Sequence, residues 1–412
     1  MRTTLLNFLL LTTVCASAQT LPQTFKMENA PRYSETTGYG YDRTETPAKG
    51  SKEPFYFSVR VPDGNYLVTV SLGNSKRAAN TTVRAESRRL FIENLPTKKG
   101  EITERSFIVN KRSPYISKKE KVKIKDREKR KLDWDDKLTI EINGEAPACE
   151  SIRIEPASSS VATIYLCGNS TVVDQENEPW ASWGQMLPLF FGTNAAVANY
   201  AESGESANTS IKANRLKKAL SQMKKGDYLF IEFGHNDQKQ KGPGKGAYYS
   251  FMTNLKIYID EVKAHGGIPV LVTPTRRRRF DKEGKTVNTH GEYPDAVRWI
   301  ANKEKVLLID LNEMTGILYE ALGEKESKKA FVHYPMGSFE GQKKVLADNT
   351  HFNPYGAYQI AKCVVEGVKK NIPDLAKYLH PVPDYNPAQP DDVNQFHWYP
   401  APFFEIEKPD GN

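Results

Sequence analysis

At 412 residues the chain is too long for one small domain and points to two or three. Hydrophobic residues make up 39%, charged residues 26% and aromatic residues 10%, enough apolar material to offset chain entropy, which excludes wholesale disorder. The formal charge is +8, from 58 Lys and Arg against 50 Asp and Glu, yet the segment from Lys118 to Lys131 alone holds nine basic and three acidic residues. The rest of the chain is close to neutral, which argues against nucleic acid as a partner.

Residues 1–18 read as an export signal: Arg2, an apolar run from Leu5 to Val14, then Ala16-Ser17-Ala18 as a small-residue cleavage site. The mature chain is expected to begin near Gln19 and to be secreted or periplasmic. Cys15 would allow a lipid anchor, but the bulky Val14 before it fits that poorly, and cleavage is the expectation. No other apolar run reaches the roughly 18 residues needed to span a bilayer. Cys149, Cys167 and Cys363 then remain, an odd and sparse set expected to be buried thiols rather than a disulfide framework.

From about Leu21 the chain is a series of short alternating segments. Phe55 to Val61 and Tyr66 to Leu72 flank a Pro62-Asp63-Gly64-Asn65 turn, which predicts a hairpin. Thr81 to Val83, Arg89 to Glu93, Ser106 to Val109, Leu138 to Asn143 and Ser151 to Ile154 continue the pattern. Their sum over residues 21–157 is an all-β sandwich, with the basic run 118–131 as an inserted, solvated loop. Near Ala162 strands begin to alternate with amphipathic helices, which predicts an α/β domain with a parallel sheet over residues 161–380. Strands are expected at Thr163 to Cys167, Ala195 to Asn199, Tyr228 to Phe233, Pro269 to Thr273 and Val306 to Asp310. Helices are expected near Trp183 to Phe190, Ser210 to Met223, Ser250 to Ala264 and Tyr293 to Asn302, and at Asn353 to Lys370 after an irregular stretch around Phe331 to Asp348. Residues 381–412, rich in Pro, Asp and aromatics, read as a tail packed on the surface.

Ligands of a doubly wound sheet bind beyond the carboxyl ends of its strands, and four polar segments stand there. The first strand runs into Gly168-Asn169-Ser170-Thr171-Val172. The second is followed by Ala201-Glu202-Ser203-Gly204, the third ends in Phe233-Gly234-His235-Asn236-Asp237, and the last helix is preceded by Asp348-Asn349-Thr350-His351. These are the parts of an acyl-transfer site. A serine hydroxyl is a weak nucleophile until a histidine takes its proton, and a carboxylate must orient that histidine. Ser170 is the expected nucleophile, His351 the general base and acid, and Asp348 the orienting carboxylate, three residues away on a helical or turn-like segment. The backbone N–H groups of Ser170 and Gly204 and the side-chain amide of Asn236 are the expected oxyanion donors. No HExxH, paired CxxC, calcium loop, Walker loop or dinucleotide fingerprint occurs, so neither a metal nor another cofactor is called for.

On Ser170, Gly204, Asn236 and His351, in that order, the chain resembles the GDSL or SGNH hydrolases from about Ala162 to Lys370. Trp183-Gly184-Gln185-Met186, Glu232 to Asp237, Val272-Thr273-Pro274 and Asp348 to Phe352 with Tyr355-Gly356-Ala357 make it most similar to the rhamnogalacturonan acetylesterase branch. The resemblance implies a flavodoxin-like three-layer sandwich and removal of acetyl groups from pectic polysaccharide, an acidic substrate. An SGNH esterase on acetylated xylan or small esters, and a carbohydrate-binding protein that has lost activity, are the alternatives. The family carries Asp before its serine where this chain has Asn169; that Asp is not the triad acid, so activity is expected to survive. The β-sandwich resembles the galactose-binding-like domains attached to this branch. Trp180 and Trp183 are either a sugar platform or core, His235 either touches substrate or is structural, and His333 is a lid residue or a spectator. Arg276, Arg277, Arg278 and Arg279 either meet galacturonate or form a solvated charge run. The sequence does not indicate an oligomeric state.

Overall fold

The computed structural model describes residues 19–48, 50–402 and 408–409; the export signal and Cys15 lie outside the described residues. The N-terminal half is built from β1 (Gln23–Lys26), β2 (Tyr39–Asp42), β3 (Phe55–Arg60), β4 (Gly64–Gly73), β5 (Ala79–Ala85), β6 (Arg89–Thr97), β7 (Ile102–Lys111), β8 (Lys137–Ala146) and β9 (Cys149–Pro156). The order β2-β3-β8-β5-β6 makes one antiparallel sheet, and β1-β9-β4-β7 faces it. Alternating residues Phe57, Val59, Val68, Val70, Ile140, Ile142, Ile152 and Ile154 fill the space between the two.

The expected hairpin between β3 and β4 does not form. β3 pairs with β2 and β8, whereas β4 pairs with β7 and β9. Phe57 and Val59 are fully buried, as are Val68 and Val70. Both strands have a face that belongs in the sandwich core, so the turn at Pro62 carries the chain across from one sheet to the other.

The C-terminal half contains β10 (Ala162–Gly168), α1 (Trp183–Met186), β11 (Ala195–Asn199), α2 (Ala207–Lys212), α3 (Arg215–Leu220), β12 (Tyr228–Glu232), α4 (Met252–Ala264), β13 (Ile268–Val272), α5 (Tyr293–Glu304), β14 (Leu307–Ile309), α6 (Leu311–Glu326), β15 (Phe331–Tyr334), β16 (Leu346–Phe352) and α7 (Pro354–Asn371). Its parallel strands run β11-β10-β12-β13-β14, the flavodoxin-like order with its switch point between β10 and β12. Successive residues of β10 serve opposite faces. Ile164 and Leu166 pack with α1, α6 and α7, while Tyr165 and Cys167 pack with α2 to α5.

Three elements differ from expectation. The helix predicted over Ser210 to Met223 is broken at Asn214, whose φ is +64°, and its amide donates to Lys121 O at 3.1 Å. α6 is not expected from the sequence reading, although Asp310 caps it by accepting from Glu313 N. The irregular stretch before Asp348 includes an antiparallel pair, β15 with β16.

The two halves join at a sheet edge. β7 lies parallel to β11 through the pair Val109 and Val197, so one sheet runs through both. Arg88 and Arg89, both buried, cross the seam: Arg88 donates to Gln175 O and Trp180 O and pairs with Glu178, and Arg89 donates to Val197 O at 3.3 Å and pairs with Asp174. The tail returns over the same seam, with Trp398 Nε1 on Glu178 and the Arg84 guanidinium 4.4 Å from the Trp398 ring centre. Cys149, Cys167 and Cys363 are free thiols; Cys167 and Cys363 are buried as expected, whereas Cys149, at the start of β9, is only partly so.

Candidate active site

Ser170 lies on the turn that leaves β10 at the switch point. The turn is held by Asn169, whose carbonyl accepts from Val172 N and Val173 N and whose side-chain oxygen accepts from Thr171 N at 3.0 Å. Its partner comes from the far end of the chain. β16 is tied to the loop after Ser170 by Ala181 N donating to Phe352 O at 2.9 Å, and this places His351 over the serine.

His351 Nε2 is 2.8 Å from Ser170 Oγ, and His351 Nδ1 is 2.8 Å from Asp348 Oδ2. Asp348 Oδ1 accepts from the backbone N–H groups of Thr350 and His351. The acid and the base thus sit on a bulged strand in a side-chain turn, not on a helix. Burial works against the charge on Asp348, but the His351 ring and these N–H donors outweigh it and hold the carboxyl well below its ordinary value. An ionised Asp348 can only accept, so Nδ1 carries the imidazole proton and Nε2 is left to take the proton of Ser170.

Gly204 is the third residue of a tight turn closed by Glu205 N on Glu202 O at 3.2 Å, and its φ is +78°. A side chain there would be strained, which is why the turn needs glycine. Glu202 N donates to Gly168 O, so this turn abuts the end of β10. Asn236 follows β12, and its amide donates to Glu205 O at 3.0 Å, which leaves the second amide proton. Asp237 ties these loops together by accepting from Ala207 N and Gly234 N; burial pushes its carboxyl up to about 7. Hydrogen bonds thus join Ser170 to His351, and tie the Gly204 and Asn236 loops to each other and to the end of β10. The arrangement is that of a nucleophile, a base and a set of fixed donors, suited to acyl transfer.

The expected substrate-contacting residues divide differently. Trp183 is fully buried with its indole N–H 2.5 Å from Glu232 Oε2, and Trp180 is buried beside it. Neither offers a ring face to a sugar: α1 packs Trp183 into the core, and Trp180 is buried in the loop before it. His235 is also buried, its ring edge-on to His290 at 4.5 Å. The arginine run is mostly consumed by the protein. Arg276 donates to Thr286, and Arg278 is bound to Ser327, Asn349 and the carbonyl of Glu324. Arg277 is half-buried and reaches the carbonyl of His235 at 3.3 Å, and Arg279 is exposed. His333 sits on β15 with Nε2 2.9 Å from Asn349 Oδ1.

The basic run is not the solvated loop expected of it. Much of it is folded against the C-terminal half, with Val122 fully buried and Lys131 Nζ 2.9 Å from Glu202 Oε2. Glu202, also bound by Arg127, is a site-loop residue that strand and motif patterns did not single out. Its signal was an unmatched acid in the glycine turn. Among the described residues no group of three or more His, Cys, Asp or Glu side chains stands together as a metal site.

Residues 166–358 match the family model described as the GDSL-like Lipase/Acylhydrolase family. The rhamnogalacturonan acetylesterase RhgT of Bacillus subtilis (strain 168) is 40% identical over 209 residues, which are 50% of this chain and 89% of that protein. The chain belongs to this family. The uncharacterized esterase YxiM of the same bacterium is 26% identical over 362 residues, 82% of this chain and 85% of that one. A crystal structure of YxiM aligns with TM-score 0.46 at 25% identity, covering 83% of this chain and 92% of that chain. At the position of the family Asp, Asn169 supplies the same kind of acceptor to the turn, while its amide nitrogen is buried without a partner.

Proposed function

We propose that this protein is an exported serine esterase that removes acetyl groups from pectic polysaccharide through an acetyl-enzyme intermediate. The observation that carries the reading is the unbroken hydrogen-bonded line from Ser170 through His351 to Asp348. Similarity to a named rhamnogalacturonan acetylesterase supports the substrate class. Ser170 Oγ attacks the acetyl carbonyl as His351 Nε2 takes its proton, and Asp348 stabilises the imidazolium. The N–H groups of Ser170, Gly204 and Asn236 receive the charge that develops on the carbonyl oxygen. Collapse expels the sugar hydroxyl, protonated by His351, and water then releases acetate by the same steps in reverse roles. Arg277, which donates to the carbonyl of His235, the residue before Asn236, is the arginine we assign to a galacturonate carboxylate.

The test is acetate release from a panel of acetylated rhamnogalacturonan, homogalacturonan and xylan. Wild type should favour the pectic substrates, and Ser170→Ala should lose about 10³-fold or more in kcat. Asn236→Ala should lose about 10²-fold through the missing oxyanion donor. A Ser170→Ala protein that keeps a tenth of the wild-type rate would dispose of the mechanism, and a preference for xylan would dispose of the substrate.

A further inference from the structure

The segment between β7 and β8 reaches out of the N-terminal half and docks on α3. Glu128 accepts from both terminal nitrogens of the Arg215 guanidinium, at 3.0 and 2.6 Å, with both side chains fully buried. Trp134 Nε1 and Lys125 N donate to the same carboxylate, and Lys123 N donates to Ala213 O. A buried, bidentate pair of this kind fixes orientation more than it adds stability. Its effect is to deliver two cations to one carbonyl. Lys125 Nζ lies 2.5 Å from Ser203 O, and Arg127 Nη2 lies 3.3 Å from the same oxygen. Arg127 and Lys131 bracket the neighbouring Glu202 carboxylate.

That carbonyl belongs to the peptide group whose N–H is that of Gly204. A trans peptide is planar, with its C=O and N–H directed oppositely. Holding Ser203 O toward the insert therefore turns the Gly204 N–H away from it, and Gly204 is the half-exposed residue of an otherwise buried turn. Glycine at this position leaves the peptide easy to flip, since its φ is least restricted by sterics. A cationic donor on the carbonyl opposes the flip and also polarises the N–H into a better donor.

We infer that Lys125 and Arg127 are positioning residues for the oxyanion hole, so that the N-terminal half takes part in catalysis by gripping the Ser203–Gly204 peptide. This rests on the proposed role of the Gly204 N–H as an oxyanion donor. Acylation and deacylation both pass through a tetrahedral intermediate, so a misdirected donor slows whichever step limits the rate.

The experiment uses the full chain with Lys125→Met, Lys125→Arg and Arg127→Gln, assayed on p-nitrophenyl acetate beside wild type and Ser170→Ala. Lys125→Met should lower kcat by about tenfold, less than deletion of a donor outright, with KM and thermal midpoint unchanged. Inactivation by a phosphonate ester, whose phosphoryl oxygen would occupy the same hole, should slow in parallel. Lys125→Arg, which keeps a cationic donor, should recover most of the rate. Arg127→Gln should show a smaller loss of the same kind, and carries the test if Lys125→Met does not fold. Full kcat in Lys125→Met and Arg127→Gln, with Ser170→Ala inactive, overturns the clamp and leaves the serine mechanism standing. Loss of kcat only in step with the thermal midpoint overturns it as well, because the insert is then a structural brace. Ester hydrolysis that does not depend on Ser170 overturns both.

Discussion

His235 and His290 are neutral by construction. Among the described residues their ring nitrogens have no hydrogen-bond partner, and burial drives both below their ordinary value, His290 to about 3 and His235 well below it, with Arg277 adding to the shift in each. Arg276 also faces His290, and His351 and Lys239 also face His235. Well above pH 6.5 neither ring is charged in the folded or unfolded chain, so there they contribute no pH dependence. Below it the unfolded chain binds protons that the folded one refuses, and stability should fall by roughly 1.4 kcal/mol per pH unit for each ring. Urea denaturation from pH 7 to 4 should show this slope, and His290→Leu should flatten it; an unaltered slope in that variant would mean the ring is protonated in the fold. At residue scale the sequence pointed well to chemistry and poorly to exposure. Ser170, Asp348 and His351 stood out because each follows or precedes a recognisable element, and polar residues at strand ends have few other reasons to be there. Trp183 and His235 were ambiguous because a side chain's burial depends on elements far away in the chain. Nothing local distinguishes an indole that faces a sugar from one that donates to Glu232.

The parallel strands could be read closely because they are short apolar runs with one place to go, between two layers of helices. α6 escaped that reading even though Leu311, Met314, Thr315, Leu318, Tyr319 and Leu322 repeat at helical spacing. Gly316 and Gly323 are poor helix formers that lower its propensity, and the chain leaves helical geometry at Gly323, whose φ is +75°. The false hairpin has a different origin. Alternation shows that β3 and β4 each have a buried face, but not whether the two faces share a sheet or oppose one another across a core. α7 shows how tightly an element can be set: a Cβ on Gly356, in its first turn, would lie 1.9 Å from Ala330 O. Backbone cannot yield as a side-chain tip does, so Gly356→Ala should cost about 1–3 kcal/mol. It should also reduce activity, because Asn353, which caps this turn, follows His351 by two residues. Thermal denaturation and a parallel rate measurement check both; a variant as stable as wild type would show that the approach has slack.

At the scale of the whole molecule the two halves are joined by sheet, side chains and tail alike. The shared sheet, the crossing of Arg88 and Arg89, and the returning tail all span the seam. Calorimetry should therefore record a single unfolding transition. Arg88→Met leaves Glu178 buried with its main cation gone, and should lower that one transition by about 3–5 kcal/mol rather than split it. Two separate endotherms in wild type would mean that the seam is only a contact. The tail carries a further consequence, for the order in which the protein is made. Arg84 donates to the carbonyl of Tyr399, Asn94 to that of His397 and Asn143 to that of Pro400. A ribosome completes the sandwich strands long before it reaches these carbonyls. Until those residues emerge, these donors face water instead of the tail, so this face of the first-made half closes only once residues 397–400 have been made.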